Sequence, residues 1–179
     1  MAKVAELFGA REIASCIERL ADRIAEAYPE TREQPVVVIV LLKGAFMFAA
    51  DLVRALDRRG VHPEVDFLTA SSYGTGTESS GVVQVRSTPS CELANRDVLL
   101  VDDILDTGRS LKRISAELEA LGAVSIRTCV LLDKPSRRVE EVEADFVGFV
   151  IPDRFVVGYG VDLAERYRHL PFVGVLEEG

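Results

Sequence analysis

The stretches Val36–Leu42 and Val98–Val101 are apolar without interruption. Runs that lack polar alternation suit strands buried on both faces, as in a parallel sheet covered by helices. Further strands are predicted over Val65–Ala70, from Val82 to Arg86, over Val124–Leu132 and Phe146–Ile151, and at Val173–Leu176. Between them the period changes to that of a helix. Ile13, Ile17, Leu20, Ile24 and Tyr28 share one face of a segment from Arg11 to Tyr28, with charges opposite. Ala45 to Leu56 reads as a helix ending near Gly60, and Leu111, Ile114, Leu118 and Leu121 repeat at helical spacing in a run that Ser110 opens. Asp162–Arg166 suggests one short helix more. Strand, helix, strand in alternation predicts a doubly wound α/β fold with a mostly parallel sheet flanked by helices. At 179 residues the chain reads as a single domain, 1–179.

Polar residues gather where the buried runs stop. Asp102 and Asp103 follow Val98–Val101, then a turn with Asp106, Thr107 and Gly108 leads to Arg109 and Ser110 at a helix start. Lys43-Gly44 follows the first run, and Lys134 follows Leu132 and Asp133. In open α/β sheets ligands bind beyond the carboxyl ends of the strands. Backbone N–H groups in a glycine-containing turn before a helix can hold a phosphate, while carboxylates can take hydroxyls or a metal. That combination outlines a sugar-phosphate site. Each piece has a plainer reading as well: a solvated strand end or a helix cap for the acid pair, a solvated strand end for Lys43, a core aromatic for Phe155, a surface helix charge for Arg168. Arg137-Arg138 reads as a solvated basic pair and Glu140, Glu141 and Glu143 as an acidic surface turn. A phospho-acceptor receiver domain would also put paired acids after a buried strand, but most of a domain would have to follow that strand, and too little chain does. A P-loop is excluded because G-x-x-x-x-G-K-[ST] is missing. The stretch 71–81, Ser-Ser-Tyr-Gly-Thr-Gly-Thr-Glu-Ser-Ser-Gly, has the composition of a surface hairpin loop and equally of a lid.

Composition narrows the class. A hydrophobic content of 48% excludes disorder. No apolar run reaches the length of a membrane span, and no signal peptide is expected. A net charge of −8 disfavours nucleic acid as the main partner. Three cysteines, Cys16, Cys91 and Cys129, lack metal-ligand spacing. Cys16 on an apolar helix face and Cys129 within a strand read as buried, reduced thiols, hence a cytoplasmic protein.

Val98-Leu-Leu-Val-Asp-Asp-Ile-Leu-Asp-Thr-Gly-Arg-Ser110 closely resembles the PRPP-binding motif of the type I phosphoribosyltransferases, and Asp at 106 is similar to the 6-oxopurine branch, the hypoxanthine-guanine phosphoribosyltransferases. The resemblance runs in family order over most of the chain, through Leu42-Lys43-Gly44, Ser72-Tyr73, Lys134, and Arg154-Phe155-Val156-Val157-Gly158-Tyr159 with Asp162 and Arg168. It implies a purine-salvage enzyme that transfers the 5-phosphoribosyl group of PRPP to N9 of hypoxanthine or guanine, giving a purine nucleotide and pyrophosphate. By resemblance, Asp106 is the catalytic base for the N7 proton. Lys43, Gly44, Asp102, Asp103, Asp106, Thr107, Gly108, Arg109, Ser110 and Arg168 bind PRPP and its phosphates. Lys134, Phe155, Val156 and Asp162 bind the purine, and Mg²⁺ is held with Asp102, Asp103 and Asp162. Ser72 and Tyr73 lie in the lid loop 71–81, and the peptide between Leu42 and Lys43 can be cis. A small hood is implied from N-terminal residues and roughly 146–179. The partners implied are small molecules, with no nucleic acid and no membrane, in a homodimer or homotetramer. An anionic substrate entering an acidic protein needs local cations: Mg²⁺, Lys43, Lys134 and Arg168.

Two positions depart from the family pattern. Leu163 stands where an aromatic is common after the metal-supporting Asp, which bears on hood packing. Arg154 replaces the commoner Lys beside the base. A xanthine-preferring enzyme shares nearly all these residues. A regulatory RNA-binding protein on the same fold is the alternative from another class, and the acidic charge and Asp106 both speak against it.

Overall fold

In the computed structural model of the chain, the structure describes residues 3–28, 34–72, 83–85 and 87–177, with backbone alone at 70–72 and 83–85. A six-stranded sheet runs β4 (Val83–Val85), β3 (Glu64–Ser72), β2 (Val37–Leu42), β5 (Asp97–Leu105), β6 (Ser125–Asp133), β7 (Phe146–Val150). Five of these strands are parallel, and β4 pairs antiparallel with β3. The apolar runs are thus the central strands, with Val37–Val40 and Val98–Val101 wholly buried.

Alternate residues of those strands serve two cores. Val38, Val40, Leu99 and Val101 pack beneath α1 (Ala10–Ala27) and α2 (Phe46–Asp57), on Ile17, Leu20, Ile24, Phe48 and Leu52. Val37, Ile39, Val98 and Leu100 face α3 (Arg109–Ala120) through Leu111, Ile114 and Leu118. The sheet is therefore covered on both sides, which is why its strands carry no polar alternation. Cys16 and Cys129 are buried in the first core. Among the described residues, no helix is long and apolar enough to cross a membrane.

A second sheet, β1 (Val4–Phe8), β9 (Val173–Leu176) and β8 (Val156–Val157), is antiparallel and shares the first core through Val156 and Val173. Phe8 of β1 stacks on Phe149 of β7 with ring centroids 4.0 Å apart. Residues 146–150, expected in the hood, form the edge of the main sheet instead, because β7 completes the parallel ladder beside β6. The short helix expected at Asp162–Arg166 is absent. Leu163 and Arg166 form an antiparallel bridge around Ala164 and Glu165, which both have positive φ (50° and 64°), the backbone of a tight primed turn and not of a right-handed helix.

Candidate active site

Strand order places a crevice at the centre of the sheet. From β2 the chain crosses through α2 to β3, and from β5 it crosses through α3 to β6 on the other side. The order reverses between β2 and β5, the position at which open α/β sheets bind ligands. Their pairing stops at Val40–Val101, while β5 runs on beside β6 from Asp102 to Leu105. Asp102 and Asp103 accordingly lie inside the strand, not after it as the end of the apolar run suggested. The backbone from 102 onward is held by β6 on one side and opens toward the crevice on the other.

Lys43 and Gly44 face this opening from the end of β2. The Leu42–Lys43 peptide is cis. Gly44 approaches Asp103 so closely that a Cβ there would fall 1.7 Å from Asp103 Oδ2. Behind it, a Cβ on Gly160 would fall 2.1 Å from the Gly44 carbonyl oxygen. Two glycines therefore let three backbone segments close on one carboxylate.

Asp102 Oδ1 accepts from the Asp103 N–H at 2.9 Å, and Asp103 Oδ1 from the Ile104 N–H at 2.9 Å. Burial pushes the Asp102 carboxyl well above the usual range, and the Asp103 charge beside it pushes further. Burial raises Asp103 too, against the pull of its backbone partners and of Arg168. The crevice thus carries a carboxyl pair whose negative charge is under-compensated, the electrostatics that favour an added cation. Among the described residues no three His, Cys, Asp or Glu side chains converge as a protein-made metal cage. The fit is to an oxygen-loving ion that takes few carboxylates and completes its shell with water and substrate.

Past the pair, the turn Asp106–Gly108 leads into α3, whose N-cap is Gly108 with φ 85° and which has neither a side-chain cap nor an acidic residue in its first turn. The first-turn N–H groups are left for an anion. The segment 137–142 braces this turn from behind. Thr107 O accepts from Val139 N (3.0 Å) and Glu140 N (3.1 Å), and a Cβ on Gly108 would meet Val142 Cγ1 at 2.5 Å. Arg138 is not a solvated charge. Its guanidinium donates to the Leu105 and Asp106 carbonyls and pairs with Asp133, tying β5 to β6 at their ends. Arg137 Nε lies 3.2 Å from Asp106 Oδ1 and its Nη1 3.8 Å from Asp153, so it links the turn to the loop before Phe155. Neither bridge is legible in the sequence, because nothing local marks which strand ends a basic residue will join.

Lys134 is 7% exposed at the end of β6, its N–H donating to Leu105 O at 2.9 Å. Phe155 is 46% exposed, not a core aromatic, whereas Val156 next to it is buried in the hood sheet. Arg168 sits on a loop and not on a helix, its side chain 19% exposed, with Nη1 on Gly160 O (2.7 Å) and Nη2 on Asp162 Oδ1 (2.9 Å). Lys43, Gly44, Asp102, Asp103 and Arg168 are brought together by these contacts. Arg137 ties Asp106 to Asp153, two residues before Phe155, and its backbone N–H donates to Lys134 O at 3.1 Å. Ser72 has only its backbone described, Tyr73 lies outside the described residues, and the expected lid 71–81 does so beyond Ser72.

A model of the phosphoribosyl transferase domain matches residues 4–164. The chain is 46% identical over 163 residues to a hypoxanthine phosphoribosyltransferase of Salmonella typhimurium, covering 91% of this chain and 89% of that one. It is 44% identical over 176 residues to a hypoxanthine-guanine phosphoribosyltransferase of Aquifex aeolicus, covering 98% and 96%. Among solved structures, the hypoxanthine phosphoribosyltransferase of Trypanosoma cruzi superposes with a TM-score of 0.91 at 38% identity, over 99% of this chain and 94% of that chain.

Proposed function

The chain belongs to the phosphoribosyltransferase family, and from that membership we propose that it transfers the 5-phosphoribosyl group of PRPP to N9 of hypoxanthine or guanine, releasing pyrophosphate and a purine nucleoside 5′-monophosphate. The observation that carries this reading is the opening between β2 and β5, where Gly44 closes on Asp103 and the strand that carries the Asp102–Asp103 pair leads on into the uncapped start of α3. Those three pieces suit pyrophosphate, ribose hydroxyls and a 5′-phosphate in turn.

N9 of the base forms its bond to the ribosyl carbon as the bond to pyrophosphate breaks, and the N7 proton must leave. Asp106 accepts it, with Arg137 holding the carboxylate in place. Positive charge grows on the ribose during transfer, and Asp102 and Asp103, where ionised, oppose it electrostatically. Asp106, Thr107, Gly108, Arg109 and Ser110 cradle the 5′-phosphate. Lys134 donates to the purine 6-oxo group, Val156 meets the base edge through its backbone, and exposed Phe155 is free to stack on the base. Lys43, Gly44 and Arg168 serve pyrophosphate. Ser72 and Tyr73 in the loop 71–81 exclude water from the reacting centre.

Mg²⁺ is the ion this reading needs, held at Asp102 and Asp103, with Asp162 supporting a second ion and the purine site from the hood. When bound, it supplies the positive charge that neutralises pyrophosphate. We also assign a cytoplasmic location, in keeping with free Cys16, Cys91 and Cys129, and a homodimer or homotetramer, in keeping with exposed Phe46, Val65 and Phe67. A PRPP-dependent spectrophotometric assay with hypoxanthine, guanine, xanthine, adenine and uracil in parallel tests the reading. Turnover is expected on the 6-oxopurines. Adenine presents an amino group where buried Lys134 seeks an acceptor, and such a mismatch can cost about 10⁴-fold or more. Comparable specificity constants for adenine and hypoxanthine would overturn the base assignment.

A further inference from the structure

Glu165 has no part in the chemistry above, yet it holds both cations assigned to pyrophosphate. Its Oε1 lies 2.8 Å from Lys43 Nζ and its Oε2 3.0 Å from Arg168 Nη2. The primed turn puts it there, and the Glu165 N–H fixes the turn by donating to Asp162 Oδ2 at 2.8 Å. One carboxylate thus spans a lysine at the end of β2 and an arginine in the hood loop, with an anionic oxygen presented to each. Arg168 is left incompletely satisfied, because its Nε is buried with no hydrogen-bond partner among the described residues. A buried donor without an acceptor marks a place where an incoming anion can improve on the resting arrangement. Lys43 and Glu165 side chains are both largely exposed, so their pair can open without disturbing the core.

We propose that Glu165 is an internal counter-ion of the pyrophosphate subsite. It occupies Lys43 and Arg168 while the subsite is empty, and the pyrophosphate group of PRPP displaces it. The same carboxylate then competes with product pyrophosphate and hastens its release. This rests on the phosphoribosyl-transfer reading and makes Glu165 a determinant of pyrophosphate affinity, acting through the two cations and not on the reacting atoms.

Exposed ion pairs are weak individually, so removing the competitor should have a modest effect of definite sign. Glu165→Gln and Glu165→Ala are both expected to bind magnesium pyrophosphate about 3- to 10-fold tighter than the parent enzyme by isothermal titration calorimetry. KM for PRPP should fall and inhibition by pyrophosphate should strengthen. Affinity for inosine 5′-monophosphate, which carries no pyrophosphate, should not move. If Glu165 instead positions Lys43 and Arg168 for the ligand, both variants will bind pyrophosphate more weakly. Weaker or unchanged affinity in the two folded variants overturns the proposal. A parent enzyme that turns over PRPP while its Glu165 variants show no tightening refutes the counter-ion alone. A parent enzyme that neither binds pyrophosphate nor uses PRPP removes the reading beneath it as well.

Discussion

Gly44→Ala adds one methyl group at the most crowded point of the crevice. Its Cβ would stand 1.7 Å from Asp103 Oδ2, 2.5 Å from Asp103 Cγ and 3.1 Å from Asp103 Oδ1. Ordinary van der Waals contact begins at 3.4 Å, so the carboxylate must retreat by roughly 1.7 Å or the Lys43–Gly44 backbone must withdraw by as much. Withdrawal is opposed by Gly160, which already abuts the Gly44 carbonyl. The movement therefore falls on Asp103, which gives up its bond to the Ile104 N–H and, on the proposed reading, the position from which it meets the ribose. A misplacement of about 1 Å in a catalytic arrangement can cost about 10²-fold. A fall in kcat/KM for PRPP of about 10²-fold follows, with a small change in melting temperature, since the crowding lies at the rim of the core. The assay is steady-state kinetics with PRPP varied at saturating hypoxanthine. A double-mutant cycle with Asp103→Ala sharpens it: Gly44→Ala should cost far less where the carboxylate it strikes has been removed. A Gly44→Ala enzyme within about threefold of the parent, or strictly additive losses in the cycle, would refute the claim that this contact controls the site.

Three more outcomes are expected. Asp106→Asn keeps the turn and its phosphate amides but cannot take the N7 proton, so single-turnover rates should drop about 10²–10⁴-fold while PRPP affinity measured by titration holds. Exhaustive EDTA treatment should abolish PRPP-dependent turnover and added Mg²⁺ restore it; full activity after chelation would free Asp102, Asp103 and Asp162 from their metal roles. The raised Asp102 carboxyl has a folded pKa above its unfolded one, so its favourable contribution is complete at acid pH and is lost as pH rises through the folded value. Metal-free Asp102→Asn should therefore melt higher than the parent at neutral pH, with the gain vanishing as pH falls toward the ordinary carboxylate range. A gain that is constant with pH would mean the charge is not its cause.

Much of this protein is determined locally. The unbroken runs at Val36–Leu42 and Val98–Val101 can be stable only when covered on both faces, and the helical periodicity of Ile13, Ile17, Leu20 and Ile24 and of Leu111, Ile114 and Leu118 supplies the covers. A doubly wound parallel sheet follows, with its chemistry at the carboxyl ends of the strands, and the signature from Val98 to Ser110 marks the place. Tertiary structure decided what depends on partners distant along the chain. Strand β1, Val-Ala-Glu-Leu-Phe, is too short for its own pattern to mark it as a strand, and it is set by pairing with β9 and by Leu7 and Phe8 packing on the first core. The acid pair reads as following its strand because polarity changes at Asp102, but β6 continues the ladder to Leu105. The segment 162–166 has helix-compatible residues, and the Leu163–Arg166 bridge, the bond from Glu165 N–H to Asp162 and the grip of Arg168 on Asp162 turn it left-handed instead. Arg137, Arg138 and Glu165 look like surface charges in sequence. Which charge faces which is set when segments far apart in the chain come together, as the separation of 122 between Lys43 and Glu165 and of 31 between Asp106 and Arg137 makes plain.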